Sequence, residues 1–413
     1  MASTQLIDKI ANCFLMKNGN SVLSKIFTNV VINSCDGSQP ITFSDARIDF
    51  NTGKTIFLAM FWHESICRIM LKKILSNTVA PSSDDDLFNC LVNLFTKDDH
   101  REHLLKLNNS LSKAEIQSVL AHHLFAPLVP SSKFKIDAKN EHLTTCFACG
   151  DHSSVGDTSF GHTDIWHGSA DILIEKSSVI VLSVAGSEEN DDSCSEPKAK
   201  MFRGEDGDSV QLGSDNDESS DSIDGLMSTE VKQVDINDAL PQAFALTIVN
   251  AFCEVKKNPH LEDYYIPSFL ASPASVIINM YNCKRDRLYS SENLPILDES
   301  GKELNVETIT AIWLALNFDR LATLVPDDEF GKRHIPTCNF KSAVGDTLNL
   351  YQHELSKPLK RADFKESKLL QFNFPLEFII IRTEYVNKMI ESLQNVQTLY
   401  ENMKGCTDET DVK

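Results

Sequence analysis

Four consecutive apolar residues, Val179-Ile180-Val181-Leu182, constrain this chain more than any other stretch. A strand with one wet face alternates apolar and polar residues. An unbroken apolar run of strand length belongs to a strand covered on both faces. The chain must therefore build a sheet with a layer on each side, and the flanking pattern says which layers. Ala170–Glu175, just before, reads as a neighbouring strand. From Ala239 to Lys257, Phe244, Ile248, Phe252 and Val255 recur at spacings of four, four and three, which is one face of a helix. Pro241 suits its first turn, and Asn258-Pro259 stops it. Ile266–Leu270, Ser275–Asn282 and Arg287–Ser290 read as strands, the last two joined by the polar turn Asn282–Asp286. Asn305–Thr323 reads as an apolar helix containing Trp313. The expected class is α/β (α+β), with a mixed sheet at residues 131–325.

Residues 1–130 read as a mainly helical region. Thr4–Lys17 is a short helix in this reading, and Ile56–Leu75 a longer one with Lys72 and Lys73 in its last turn, where cations suit the helix dipole. Asp84–Asp86 open a helix with Leu87, Leu91, Leu94 and Phe95 on its apolar face. Ser112-x-x-Glu115 is a capping box that starts another, running to about Leu124. His122 and His123 lie near its end. On an α-helix adjacent residues point about 100° apart, so the expectation is that these two do not share a metal.

Charge divides the chain further. The formal net charge is −20, but residues 186–238 hold sixteen Asp/Glu and four Lys/Arg, or −12, leaving −8 for everything else. That segment is rich in Ser, Asp, Glu and Gly and has no periodicity, so it reads as a disordered acidic insert in the core. Residues 326–413 read as an irregular segment followed by an amphipathic helix at 378–403. Its Met389, Leu393, Val396, Tyr400 and Met403 step by four and three. The insert and this helix are where a protein partner would be recruited. The negative charge opposes broad nucleic-acid or membrane-surface binding by the whole chain, while a local nucleic-acid contact by the core stays open. No stretch approaches the roughly 20 apolar residues of a membrane span. With eleven scattered cysteines and no leader-like beginning, the expected compartment is the cytoplasm or nucleus, with thiols reduced.

Groups able to do chemistry concentrate between residues 146 and 174. Cys146-x-x-Cys149, followed by His152, His162 and His167, has the ligand types of tetrahedral zinc, and Gly150, Gly156 and Gly161 let the loop bend. Cys146, Cys149, His152 and His162 are the zinc candidates, against unligated thiols and loop histidines. Asp171 begins an apolar strand and Asp164 lies shortly before it. Carboxylates at a strand edge suit Mg²⁺, because they leave room for water and a phosphate substrate. Trp166, beside that strand, is expected in the core. The sequence contains no Gly-x-Ser-x-Gly elbow, Walker A loop or Gly-x-Gly-x-x-Gly after a strand.

The stretch Gly168-Ser-Ala-Asp171-Ile-Leu-Ile, with the strand–strand–helix–strand–strand order from Ala170 to Ser290, resembles the PD-(D/E)XK nuclease superfamily. The resemblance implies a restriction-endonuclease-like core, with Asp171 as the strand aspartate and Gln242 as the helix glutamine. Two registers are open for the Glu-x-Lys. Taken by strand order, its positions fall at about Ser183 and Ala185, which can neither hold a metal nor stabilise hydroxide. The core is then catalytically inactive and reused for binding or regulation. Taken literally, Glu254-Val255-Lys256 is the motif, on a strand, and the protein is a Mg²⁺-dependent nuclease using Asp171, Glu254 and Lys256. The helical spacing of Phe244 to Val255 favours the first. A zinc-stabilised interaction module is the third reading.

Overall fold

The computed structural model describes residues 10, 13–14, 21–33, 47–62, 83–131, 133–140, 145–162, 164–175, 177, 179–184, 236–324 and 335–358. The predicted Thr4–Lys17 helix lies almost wholly outside these residues. So do nearly all of the acidic insert and the whole C-terminal helix 378–403.

Among the described residues the chain forms a mixed α/β structure around one large sheet. Its strands are β1 (Ile26–Asn33), β2 (Arg47–Phe57), β3 (Phe134–Asp137), β4 (Val155–Gly156), β7 (Ile172–Ile174), β8 (Val179–Ser183), β9 (Ile266–Ala271), β10 (Ser275–Asn282), β11 (Arg287–Ser291) and β12 (Leu294–Pro295). They run in the order β2-β1-β11-β10-β9-β8-β7-β3-β4, with β12 beside β10. A separate hairpin pairs β5 (Ser159–Gly161) with β6 (His167–Ser169). All neighbours are antiparallel except β8 with β9 and β3 with β4. The parallel pair β8–β9 requires a crossover, supplied by the helix α4 (Leu240–Lys257). Every residue of β8 is buried, as its apolar run demands.

Helices cover both faces. α4 lies on one, where Phe252 packs against Tyr281 of β10 and against Phe340 and Tyr351, from the short helices α7 (Phe340–Val344) and α8 (Leu348–His353). The other face takes α1 (Ser83–Thr96), α2 (Asp98–Leu104), α3 (Lys113–Leu120) and α5 (Val306–Leu316). There Phe125 packs against Phe269 of β9, and the Trp313 indole N–H donates to the Leu87 carbonyl at 2.9 Å. The neighbours Ser268 and Phe269 show the alternation: Ser268 reaches Thr247 of α4, and Phe269 faces Phe125.

Several expectations change. The region before residue 57 contributes two strands: β1 pairs with both β2 and β11. Ile56 and Phe57 belong to β2, and helical backbone begins at 59. The predicted helix from Ile56 thus starts later, and most of it lies outside the described residues. The Ser112 capping box forms as expected, with the hydroxyl accepting from Glu115 N and the Glu115 carboxylate accepting from Ser112 N. The helix does not stay α-helical to Leu124, however. Ala121–Phe125 is a π-turn. The expected single helix Asn305–Thr323 is broken at Asn317, whose amide donates to the carbonyls of Leu128 and Trp313; α6 (Phe318–Leu321) comes next.

Candidate functional site

Asp171 sits where β7 begins, and β8 is its neighbour. Its backbone N–H donates to Val181 O at 3.0 Å, and its carbonyl accepts from Asp137 N at 3.1 Å, so the backbone is fixed on both sides. The side chain is buried and fully engaged. Oδ2 accepts from Ser183 N at 2.6 Å and from Ser183 Oγ at 3.1 Å. Oδ1 lies 3.0 Å from the ammonium of Lys113, the first residue of α3. Beside it on β3, Asp137 is also buried, accepting from Ser169 Oγ at 2.7 Å and Lys139 N at 3.3 Å. This end of the sheet therefore holds two buried carboxylates, each satisfied by protein donors.

A divalent cation at Asp171 would have to approach Oδ1 beside Lys113. Two unit charges of like sign about 4 Å apart repel by about 4 kcal/mol at an effective dielectric of 20, and a doubly charged ion by about twice that. Ser183, the first position of the order-based register, donates its N–H and hydroxyl to Asp171 Oδ2. Ala185 lies outside the described residues.

The literal register fails on backbone geometry. Glu254 and Lys256 lie within α4, where residues two apart point about 200° apart; a metal-holding Glu and its Lys need the shared face of a strand. Glu254 is instead buried against Lys357, its Oε1 accepting from Nζ at 3.2 Å, while Lys256 donates to Leu355 O at 2.9 Å. Gln242, at the start of α4, is exposed. Asp164 is exposed too, in the loop of the β5–β6 hairpin, with its N–H donating to His162 Nδ1 at 3.2 Å. His167 Nδ1 meets Ile165 O at 3.2 Å. Asp164, His162 and His167 thus serve a hairpin. Trp166 is buried there against Phe160, with ring centroids 5.8 Å apart.

A cleft of about 500 Å³ opens beside the end of α4, lined in part by Lys135, Glu175, Glu254, Lys257 and Lys357. Lys357 donates to Asn250 Oδ1 at 2.9 Å as well as to Glu254. Burial lowers the Lys357 ammonium from its ordinary range, opposed by the Glu254 charge. Among the described residues Glu254 Oε2 has no hydrogen-bond partner. Burial also pushes the Cys253 thiol up to about 12, so it stays protonated.

The second concentration of chemistry is at the π-turn. The ligand atoms of His123, Cys146 and Cys149 all lie within 4.8 Å of one another, and these residues could hold a metal ion. His122, Cys149 and Asp151 form a second such group. Of the predicted zinc set, only the cysteines belong. His152 is exposed and bridges Thr145 through its backbone, and His162 is in the hairpin. The third member of the group is His123, 5% exposed, which lies where the π-turn and α2 bring four imidazoles together: His100, His103, His122 and His123. Burial drives the His123 imidazole down to about 3, helped by His103, His100, His122 and Lys106. His100 and His122 are lowered as well, each first by burial. Burial raises the Cys149 thiol to about 11, with Cys146 adding and the Asp151 N–H opposing.

Sequence reasoning misses Lys113, Asp137 and His123. Asp137 ends a short strand that no pattern marks as functional. Lys113 carries one usable signal, its position next to a capping box, which fixes where the helix starts. His123 is set aside with His122 because adjacent helical residues do not share a metal; the two do fall in different groups, but His123 meets cysteines that lie far along the chain. Among the described residues no helix is long and apolar enough to cross a membrane. Comparison with protein-family models, with curated proteins and with solved structures finds no match.

Proposed function

We propose that this chain has a PD-(D/E)XK-like core whose carboxylate centre no longer holds a catalytic metal, and that it serves in binding or regulation. One observation carries this reading: both oxygens of Asp171 are taken by protein donors, Lys113 and Ser183. The order β7, β8, α4, β9, β10, with the aspartate at the first strand, supports the resemblance, and the Ser183 hydroxyl bonded to that aspartate supports the loss of the metal. A carboxylate held by an ammonium and two further donors is satisfied without an ion. The cleft beside α4 is the concave site such a scaffold would offer to a ligand.

The test is Mg²⁺- or Mn²⁺-dependent cleavage of single- and double-stranded DNA and RNA by the full chain, with Asp171→Ala as the control. No cleavage above background is expected from either protein. Cleavage by the wild type that disappears in Asp171→Ala overturns the proposal.

A second reading, a zinc-stabilised interaction module, is favoured by His123, Cys146 and Cys149 converging. Zinc content of the purified chain tests it: zinc at one per chain supports it, and none sinks it. The two readings are compatible, since the π-turn continues from α3 and Lys113 begins that helix.

A further inference from the structure

We propose that His123, Cys146 and Cys149 bind one zinc ion that fastens the π-turn after α3 to the loop 145–152. The inference rests on the zinc-stabilised reading and specifies its ligands. The loop is already shaped as a ligand turn. Cys146 N donates to Asp151 O at 2.7 Å, and Gly150 N donates to Cys146 O at 2.9 Å. Gly150 takes φ +77°, which a side chain would strain. Asp151 N–H points at Cys149 Sγ at 3.4 Å, the kind of donor that steadies a thiolate on a metal. Phe147 N donates to Ser118 Oγ at 3.2 Å, so the loop is also tied to α3 itself.

The third ligand faces this turn with the correct atom. His123 Nε2 is 3.5 Å from Cys146 Sγ. In a tetrahedral site with Zn–S of about 2.3 Å and Zn–N of about 2.0–2.1 Å, that edge is about 3.6 Å. The other ring nitrogen, Nδ1, is 3.2 Å from His100 Nδ1. With Nε2 on the metal, Nδ1 keeps the proton and donates it to His100, the outer hydrogen bond that orients metal-binding imidazoles. Two thiolates and an imidazole select zinc over hard cations such as Mg²⁺ or Ca²⁺. Binding is not a redox step: the two thiols release their protons to solvent as the Zn–S bonds form. His122 and Asp151 group with Cys149 but not with His123 and Cys146, so water takes the fourth position.

The test uses the full chain, purified under reducing conditions from zinc-supplemented cells. Zinc per chain is measured by mass spectrometry, and thiolate ligation by the near-ultraviolet charge-transfer band after exchange to Co²⁺. One zinc per chain is expected in the wild type, in His152→Ala and in His162→Ala. Zinc at background is expected in His123→Ala and Cys149→Ser, and restored binding in His123→Cys. Should the single-ligand variants fail to fold, two wild-type measurements decide. Expected are the thiolate–cobalt band and a chelator-induced fall in melting temperature reversed by Zn²⁺; absence of either overturns the site. Zinc that stays in His123→Ala but leaves in His152→Ala or His162→Ala overturns this ligand set while leaving the zinc-stabilised reading intact. No zinc in the wild type, or a Cys146–Cys149 disulfide in place of it, overturns both.

Discussion

The ammonium of Lys113 stands 3.0 Å from Oδ1 of Asp171, joining the first residue of α3 to the mouth of β7. Lys113 is half exposed and Asp171 is buried, so the pair is asymmetric. Lys113→Ala removes the exposed partner and is expected to cost at most about 1 kcal/mol, the range of solvent-screened ion pairs. Asp171→Ala strips Ser183 N–H of its acceptor and is expected to cost about 1–3 kcal/mol. Denaturant unfolding of both variants checks the ordering. Mn²⁺ titration of Lys113→Ala should show weak binding absent from the wild type, because the competing charge is gone. Equal, undetectable Mn²⁺ binding in both proteins would show that the ammonium is not what keeps cations away.

Buried Glu254 and part-buried Lys357 form an ion pair in which, among the described residues, Glu254 Oε2 has no hydrogen-bond partner. Removing one member of such a pair leaves the other charged without compensation and costs roughly 3–5 kcal/mol. Glu254→Ala and Lys357→Met are each expected in that range, with the double variant well below their sum. A double-mutant cycle by thermal or denaturant melting measures the difference. Additive losses would mean the two groups do not depend on each other.

Acid should unfold the metal-free protein earlier than its carboxylates alone require. The His123 imidazole is held down to about 3 in the folded state, chiefly by burial. An unfolded histidine titrates near 6.5, so between those values the unfolded chain binds a proton that the folded chain refuses. Stability therefore rises with pH across this window and is lost as pH falls from about 6.5 toward about 3. His100 and His122 are shifted in the same direction and add to the slope. Denaturant melts of EDTA-treated wild type and His123→Asn at a series of pH values should show a shallower slope in the variant.

Gly161 has φ +118°, and a Cβ there would lie 2.5 Å from the Trp166 carbonyl. Both the backbone and the space are closed to a side chain. Gly161→Ala is expected to destabilise by about 1–3 kcal/mol from backbone strain, and more if the hairpin shifts. The Trp166 fluorescence spectrum should move to the red as the indole loses its packing. Gly301→Ala is a milder control: its φ is also positive, at +67°, but among the described residues nothing lies within 4 Å of the added carbon.

The sequence discloses those parts of the fold that local chemistry dictates. β8 is dictated by four apolar residues in a row, and α4 by spacings of four and three. The start of α3 is marked by Ser112 and Glu115, whose reciprocal bonds are present. Partners distant in sequence are harder. β1 carries Thr28 and Asn29, buried polar residues that hide a strand from any hydrophobic count. Ile56 and Phe57 share a helical spacing with the apolar residues after them, yet β1 claims both, Phe27 pairing with Ile56. Asp171 is legible as the polar residue at a strand's mouth. Lys113, which pairs with it, is not, because only the packing of α3 over the sheet brings them together. His123 is missed for the same reason: Cys146 and Cys149 are distant in sequence, and only the packing of their loop on the end of the helix brings them to it.

Sheet order also sets when the molecule can be finished. β1 lies between β2 and β11, with Thr28 opposite Ser290, so the first hairpin docks only on one of the last strands. At about 5–20 residues per second of synthesis, the β1–β2 hairpin waits roughly 10–50 s on the ribosome for its neighbour. Until then the β1 edge offers unpaired backbone groups, a template for the wrong strand. Folding of this chain should therefore be slow and depend on how quickly translation delivers residues 287–291, as expected for long-range strand pairing.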